Sequence, residues 1–461
     1  MDFSSPETYV SATHFDSFYP SQTKPSTMGI KLIPFPVYGN TPGSSRLSGR
    51  AVPRCRVCSS FYNCYNTLNG DEYTCSICGC KNKLDDRLEQ TDAEVSLPVY
   101  EVYANDAFKV RREFTPTDFY VVSLSLIQSN PSVIDDIIAA VKHRYIPKQF
   151  GLCIYHGAVS VIKFRETTSI LTISDADAFV KNGQLFVESR HFADELKRIR
   201  QAITELRYVP GDVDLISYIS KIGSAFGSNI KLLMTCRDIQ HLQSGLHREV
   251  SCNLLRSLSS MSIYLDTKPV EALPIAEIPF ITGGMFVWGR ENIGEFMKSD
   301  SYNDCTIVVR TPDTVGIMDY SGPGILKTHA TLDVTKIRIN QPFFFLFDTR
   351  GMSHSVFQFN IFFTTDVDVR KIRIITIDFS RYQVQSNTAI MQETINSFIA
   401  QRYFLDGRAE ARHVLNKLIR EFGAQFEAQP SSLIESESSV DSQKTSFMMR
   451  NGVFTQDSCN L

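Results

Sequence analysis

A chain of 461 residues is too long for one ordinary hydrophobic core, so two or three domains are expected. Its apolar fraction of 43% suits a globular protein, and a net charge of −3 gives no global electrostatic case for nucleic acid. No basic N-terminal region leads into an apolar run, and no apolar stretch reaches the roughly eighteen residues a spanning helix needs, so neither a signal peptide nor a membrane span is expected.

Residues 1–52 are poor in charge and rich in Ser, Thr, Pro and Gly. Within this segment, Ile30 to Tyr38 is expected as an edge strand, because Pro34 and Pro36 cannot donate to a ladder.

Residues 53–85 hold six of the eleven cysteines. Cys55 with Cys58, and Cys75 with Cys78, form two CxxC pairs separated by sixteen residues, with a turn signal at Asn69-Gly70-Asp71 between them. A CxxC turn places two sulfurs on one side of a tight knuckle. Two such knuckles joined by a hairpin close a tetrahedron of four thiolates, the donor set of a structural zinc site. The segment has no histidine, and four thiolates leave no open position, which excludes catalytic zinc. The competing readings are a disulfide cluster or free core thiols. Cytosolic CxxC pairs rarely persist as disulfides, and Cys153, Cys236, Cys252 and Cys305 lie scattered in apolar surroundings, as in a reducing compartment. Cys64 and Cys80 remain open as alternative ligands.

Residues 96–104 alternate as a strand. An α/β texture then begins. Phe119 to Leu124 reads as a buried strand, and Asn130-Pro131 as a helix start with Ile134, Ile137, Ile138 and Val141 inward. Gly151 to Tyr155 and Ala158 to Phe164 are strands around His156-Gly157. A helix over 191–207 turns Phe192, Leu196, Ile199, Ile203 and Leu206 inward, and Ile230 to Thr235 and Ser262 to Leu265 are further strands. Alternating strands and helices imply a largely parallel sheet covered on both faces.

From residue 275 the pattern turns to β. Phe343 to Phe347 is an apolar run. Ser355 to Phe363 puts Phe357, Phe359, Ile361 and Phe363 on one side, and Lys371 to Asp378 follows. These suggest an antiparallel sandwich. Helices are expected over 387–403 and 407–426, the second with Val414, Leu415, Leu418, Ile419 and Phe422 inward. Beyond Pro430 the composition is too polar to build a core and reads as a disordered tail.

Few residues suggest catalysis. Val122-Ser123-Leu124-Ser125 lacks the aspartate that a metal-dependent adhesion site requires, and two hydroxyls are a weak set for a hard cation. Asp175 and Asp177 have no identifiable companion base, and read as loop and capping carboxylates. Gly322-Pro323-Gly324 lacks a phosphate-loop ending and reads as a turn, and neither G-x-S-x-G nor H-E-x-x-H occurs. Arg190, Lys197, Arg198, Arg200 and Arg207 read as a solvated helix face, the sharper alternative being an anionic-membrane or acidic-peptide surface.

The order of parts resembles the inner-layer subunits of the COPII vesicle coat, and among them the cargo adaptor of the Sec-twenty-four type, over about residues 8–425. Val52-Pro53-Arg54-Cys55-Arg56-Val57-Cys58 with Phe61-Tyr62-Asn63 is similar to the adaptor's RCxxC…YxN signature. Tyr73-Thr74-Cys75-Ser76-Ile77-Cys78 with Asn82 is similar to its aromatic-x-CxxC…N. Ile173 to Phe179, Ile281-Thr282-Gly283-Gly284, and Phe363-Thr364-Thr365 through Arg370-Lys371-Ile372-Arg373-Ile374 resemble later motifs in the same order. Cys64 stands where the family has proline, and Tyr73 where it has tryptophan. Thr74 and Gly79 occupy positions where the adaptor has basic residues that hold acidic export signals. Lys81 and Lys83 are near but not equivalent, so that pocket is not carried over.

The resemblance implies a multidomain α/β plus all-β fold. Residues 1–52 would contribute to the β domain, 53–85 form a zinc finger, 110–270 a von Willebrand A-like trunk, 271–385 a β-sandwich, 386–427 a helical segment and 428–461 a tail, with the family's gelsolin-like domain missing. It implies a non-enzymatic cargo adaptor in ER-to-Golgi transport, cytoplasmic and peripheral on the endoplasmic reticulum membrane. Its partners would be the paralogous coat subunit, the coat small GTPase and the cytosolic tails of membrane cargo, with no nucleic acid. The paralogous subunit that activates the GTPase is the alternative; its first cysteine pair has a wider gap than the two residues here. A nucleic-acid-binding zinc ribbon is the third reading, but Arg54, Arg56, Lys81 and Lys83 are offset by Asp71, Glu72 and Asp85.

Overall fold

A computed structural model describes residues 9–15, 27–36, 43–48, 52–84, 97–104, 117–142, 149–163, 169–173, 186–209, 214–240, 242, 247–269, 274–298, 301–312, 315–349, 352, 354–365, 369–381, 393–394, 397–398 and 401. These fall into two compact units, one within Met1–Arg112, Tyr302–Thr365 and Val369–Val440, the other within Glu113–Ser301.

The second unit is built on a sheet. Its strands run in the order Ser169–Ile173, Val159–Lys163, Gln149–Tyr155, Thr117–Ser123, Asn229–Met234, Ser260–Leu265 and Phe286–Trp288, and Val187–Glu188 also pairs with Gln149–Tyr155. From Gln149–Tyr155 to Phe286–Trp288 the pairing is parallel, and the first two strands are antiparallel additions. Parallel strands covered on both faces have no solvent side, which is why Thr117–Ser123, Asn229–Met234 and Ser260–Leu265 are buried along their whole length.

Helix Val133–Lys142 buries Ile134, Ile137, Ile138 and Val141, the expected stripe. Helix Ser189–Thr204 buries Phe192, Leu196, Ile199 and Ile203. Asn130 does not open a helix. It caps the C-terminus of the short helix Leu124–Ser129, whose first residue is the end of the expected strand. Lys231, charged yet almost wholly buried, crosses the Tyr120 ring to donate to Met297 O at 2.9 Å, the last turn of helix Ile293–Lys298. A cation there satisfies a helix-terminal carbonyl.

The expected end of this unit at residue 270 is too early. Helix Glu277–Thr282 follows, and Phe286–Trp288 adds in parallel to Ser260–Leu265. A three-residue apolar run looks like the start of the β domain in sequence, but it is this sheet's last strand.

The first unit packs two sheets. One has the order Val10–Phe15, Thr27–Leu32, Phe343–Asp348 and Gly316–Ser321. The other has the order Ile325–Thr328, Thr331–Arg338, Ser301–Arg310, Val356–Thr364, Arg370–Asp378, Val99–Tyr103 and Gly43–Ser48. Phe357, Phe359, Ile361 and Phe363 share the core with Phe343, Phe345, Phe347, Met28, Ile30 and Leu32. The alternation in Val356–Thr364 makes this face, since successive strand side chains point to opposite sides.

Thr27–Leu32 is not the edge strand expected of this region. It pairs with Val10–Phe15 on one side and Phe343–Asp348 on the other. It ends before Pro34 and Pro36, so their missing donors fall outside the ladder. Gly322 and Gly324, at φ 148° and 102°, shape the turn that leads from one sheet's edge to the other's.

Of the expected helix over 387–403, residues 393–394, 397–398 and 401 are described and helical. Ser397 Oγ lies 2.7 Å from Ser321 Oγ, and the Gln401 amide bonds Gly322 N and Tyr320 O at the edge of its sheet. The expected helix over 407–426, the tail and the pair Asp175 and Asp177 lie outside the described residues. Among the described residues, no helix is long and apolar enough to cross a membrane.

Candidate metal centre

The two CxxC segments fold as near copies. In the first, Cys55 N donates to Ser60 O and Ser59 N to Cys55 O, both at 2.9 Å. In the second, Cys75 N donates to Cys80 O and Gly79 N to Cys75 O, again at 2.9 Å. Each turn needs a left-handed residue just after its second cysteine: Gly79 has φ 71°, and Ser59 takes the same region at φ 58°. The hairpin Thr67–Asn69 and Glu72–Thr74, turned at Gly70 with φ 60°, carries the chain between them, and Lys81–Lys83 completes a three-stranded ribbon.

This geometry brings Cys55, Cys58, Cys75 and Cys78 together, their sulfurs all within 4.8 Å of one another. Cys55 Sγ lies 3.4 Å from Cys78 Sγ, and Cys58 Sγ 3.7 Å from Cys75 Sγ. A tetrahedron with Zn–S bonds of about 2.3 Å has edges of about 3.8 Å, so the donor set fits zinc in kind and in size. Cys64 and Cys80, left open by the sequence, are not in the cluster. Cys64 is exposed, and Cys80 Sγ points to Lys81 O at 3.5 Å. Cys80 holds the position in the second knuckle that Ser60 holds in the first.

The sulfurs sit in a field of donors. Backbone N–H groups of Ser60, Ile77, Cys78 and Cys80 reach the sulfurs of Cys58, Cys75 and Cys78. The hydrogen bond from Cys58 holds the Cys75 thiol well below the usual thiol range and raises Cys58 in turn, as two close sulfurs share a proton. Burial, then the thiolates nearby, raises the Tyr73 hydroxyl above its ordinary value.

The knuckles are anchored to the sandwich through backbone. Gln358, fully buried on Val356–Thr364, accepts from Phe61 N at 2.8 Å and donates to Phe61 O at 2.9 Å, as a neighbouring strand would. Tyr100 Oη donates to Tyr62 O at 2.6 Å. Phe61, Tyr62, Tyr73 and Ile77 pack with Tyr100, Val102, Val356, Ile372 and Ile374 in one apolar cluster. The Arg54 guanidinium lies 4.0 Å above the Phe61 ring, and burial, then Arg310, lowers its pKa to about 10. Asn63 and Asn82, both buried, tie the loops. Asn63 Oδ1 accepts from Tyr65 N and Ser76 Oγ, and Asn82 Oδ1 from Arg56 N. Single-sequence reading singled out the cysteines, but missed Gln358, Ser60 and Tyr100, whose importance is visible only when distant segments meet.

Among the described residues, other candidates are engaged elsewhere. Arg200 pairs with Asp135 and Arg198 with Glu195, which makes the basic helix a neutralised solvent face at those positions. Ser123 Oγ caps its helix by accepting from Leu126 N, and Ser125 Oγ donates to Asp238, so both adhesion-site hydroxyls are engaged. Among the described residues, no other group of three or more metal-ligating side chains gathers.

No protein-family model matches this chain, and no curated protein matches it by sequence. Among solved structures, the human COPII-coat protein Sec24c superposes with TM-score 0.76 at 14% identity, covering 97% of this chain and 76% of that one. A von Willebrand factor type A protein from Catenulispora acidiphila matches with TM-score 0.41 at 9% identity, covering 74% of this chain and 90% of that one. Two sheets packed as a sandwich, a four-cysteine ribbon anchored on them and a largely parallel α/β unit thus occur in one chain in an order already seen: the fold is of the Sec24 type.

Proposed function

We propose that this protein is a cargo adaptor of a COPII-type coat, a binding and scaffolding protein without catalysis of its own. The reading rests on the likeness to human Sec24c over 97% of the chain. Cys55, Cys58, Cys75 and Cys78 would hold one structural zinc. A bound zinc supplies no reaction here; it ties the two knuckles into one rigid piece. The chain's own residues then fix that piece on the sandwich, through Gln358 and Tyr100 on the backbone of Phe61 and Tyr62. Rigid β surfaces of this kind capture extended peptide tails in grooves, with affinity from preorganisation. The partners would be the paralogous coat subunit, the coat small GTPase on the endoplasmic reticulum membrane, and cytosolic tails of cargo.

The test is recruitment. Purified chain is mixed with liposomes carrying the GTP-loaded coat GTPase, with and without the paralogous subunit. Sedimentation with the liposomes only when the subunit is present supports the reading. A chain that stays in solution under both conditions overturns it.

A further inference from the structure

Two buried polar side chains adjoin the four cysteines. Ser60 is 1% exposed, and its hydroxyl lies 3.2 Å from Cys58 Sγ and 3.3 Å from Cys75 Sγ, one sulfur from each pair. Asn82, 6% exposed, directs Nδ2 at Cys55 Sγ at 3.5 Å and at Cys80 O at 2.8 Å. A divalent cation bound by four thiolates leaves two surplus negative charges in a partly buried site. Such charge needs nearby donors.

We propose that Ser60 is a positioning residue of the metal centre, its single hydroxyl proton shared between Cys58 and Cys75 so that it both offsets thiolate charge and sets the spacing of the two knuckles. The proposal rests on the zinc reading above.

Three observations carry it. The hydroxyl is buried, and both of its hydrogen-bond partners are sulfurs. It bridges the two CxxC pairs rather than serving one. The equivalent position in the second knuckle is Cys80, whose side chain turns to Lys81 O instead, so the knuckle fold itself does not demand a side-chain donor there. A hydrogen bond to a metal-bound thiolate lowers the charge on sulfur and slows its protonation and loss. Outer partners of this kind typically change metal affinity 10- to 100-fold.

The experiment compares the full-length chain with Ser60→Ala and Ser60→Thr. Zinc affinity is measured by competition with a chromophoric chelator, and the cobalt-substituted proteins are compared by their sulfur-to-metal charge-transfer band. The alanine variant keeps the backbone bond from Cys55 N to Ser60 O, so the turn is preserved. The expected result is one metal per wild-type chain, a 10- to 100-fold affinity loss and a shifted band for Ser60→Ala, and recovery of both for Ser60→Thr. Wild-type affinity and an unshifted band in Ser60→Ala overturn the proposal while leaving the zinc reading intact. If Ser60→Ala loads no metal, Ser60→Thr decides: wild-type affinity and band support the hydroxyl's role, and loss in both variants overturns it. A wild-type chain that binds no metal overturns the zinc reading itself.

Discussion

Gln358 and Phe61 are nearly three hundred residues apart, yet the side-chain amide of one closes a two-bond ring on the backbone of the other. Gln358 also donates to Thr376 Oγ1 at 3.1 Å, so one buried amide links the cysteine ribbon to two neighbouring strands. Replacing it with leucine keeps the volume but leaves Phe61 N and O without this partner. Phe61 O keeps a bond from Asn63 Nδ2 at 3.3 Å, so Phe61 N is the group left orphaned. A buried unsatisfied group costs about 1–3 kcal/mol, and Gln358→Leu is expected to lose about that much stability in urea unfolding. Hydrogen exchange should rise at Phe61 and Tyr62 before it rises in the sandwich strands.

A second prediction concerns Ser59 and Gly79, equivalent residues with φ 58° and 71°. Ser59→Gly relieves left-handed strain and should stabilise by about 0.5–1 kcal/mol. Gly79→Ala should destabilise by about 1–2 kcal/mol, because a Cβ there meets strain and lies 3.2 Å from His354 Nε2. Urea midpoints of the two variants, moving in opposite directions, are the check.

Glu101 joins two strands of the sandwich by accepting from Arg373 Nε at 2.9 Å and from Lys371 Nζ at 3.2 Å, with Arg373 also over the Phe35 ring. Glu101 and Arg373 are both buried. Removing one partner of a buried pair leaves the other charge stranded, so Glu101→Gln should cost about 3–5 kcal/mol. Thermal unfolding of the variant measures it.

Asp378 gives a pH dependence. Burial works against its charge, but hydrogen bonds from Ser355 and Ser380 and the nearby Arg381 outweigh that, and its pKa is lowered. A lowered folded-state pKa means that its contribution is complete above the unfolded carboxylate value, about pH 4, and is lost as pH falls through the folded value. Wild type should therefore lose more stability than Asp378→Asn between pH 5 and the acid limit. Equal slopes for the two proteins would contradict this.

The legible parts of the sequence were those governed by local pattern. Two CxxC pairs give the knuckles, and phenylalanines at alternate positions in 357–363 give the inner face of the sandwich. What stayed hidden depended on distant partners. Thr27–Leu32 looks like an edge because of prolines that lie beyond its end, and its second neighbour is a strand three hundred residues away. Phe286–Trp288 is too short to reveal which sheet it joins. Ser60 is an ordinary loop serine until the second knuckle folds over it. The acceptor of Lys231 comes from helix Ile293–Lys298, 66 residues further on, which the strand's own pattern does not announce.

The central claim is that four particular sulfurs converge on one ion and make the ribbon a fixed part of the sandwich. Zinc-edge X-ray absorption on the purified chain tests it most directly, together with metal content of six single Cys→Ser variants at Cys55, Cys58, Cys64, Cys75, Cys78 and Cys80. The account predicts one zinc with four sulfur neighbours at about 2.3 Å, lost on substitution at Cys55, Cys58, Cys75 or Cys78 and kept on substitution at Cys64 or Cys80. A metal-free protein, a shell containing nitrogen or oxygen, or dependence on Cys80 would contradict it.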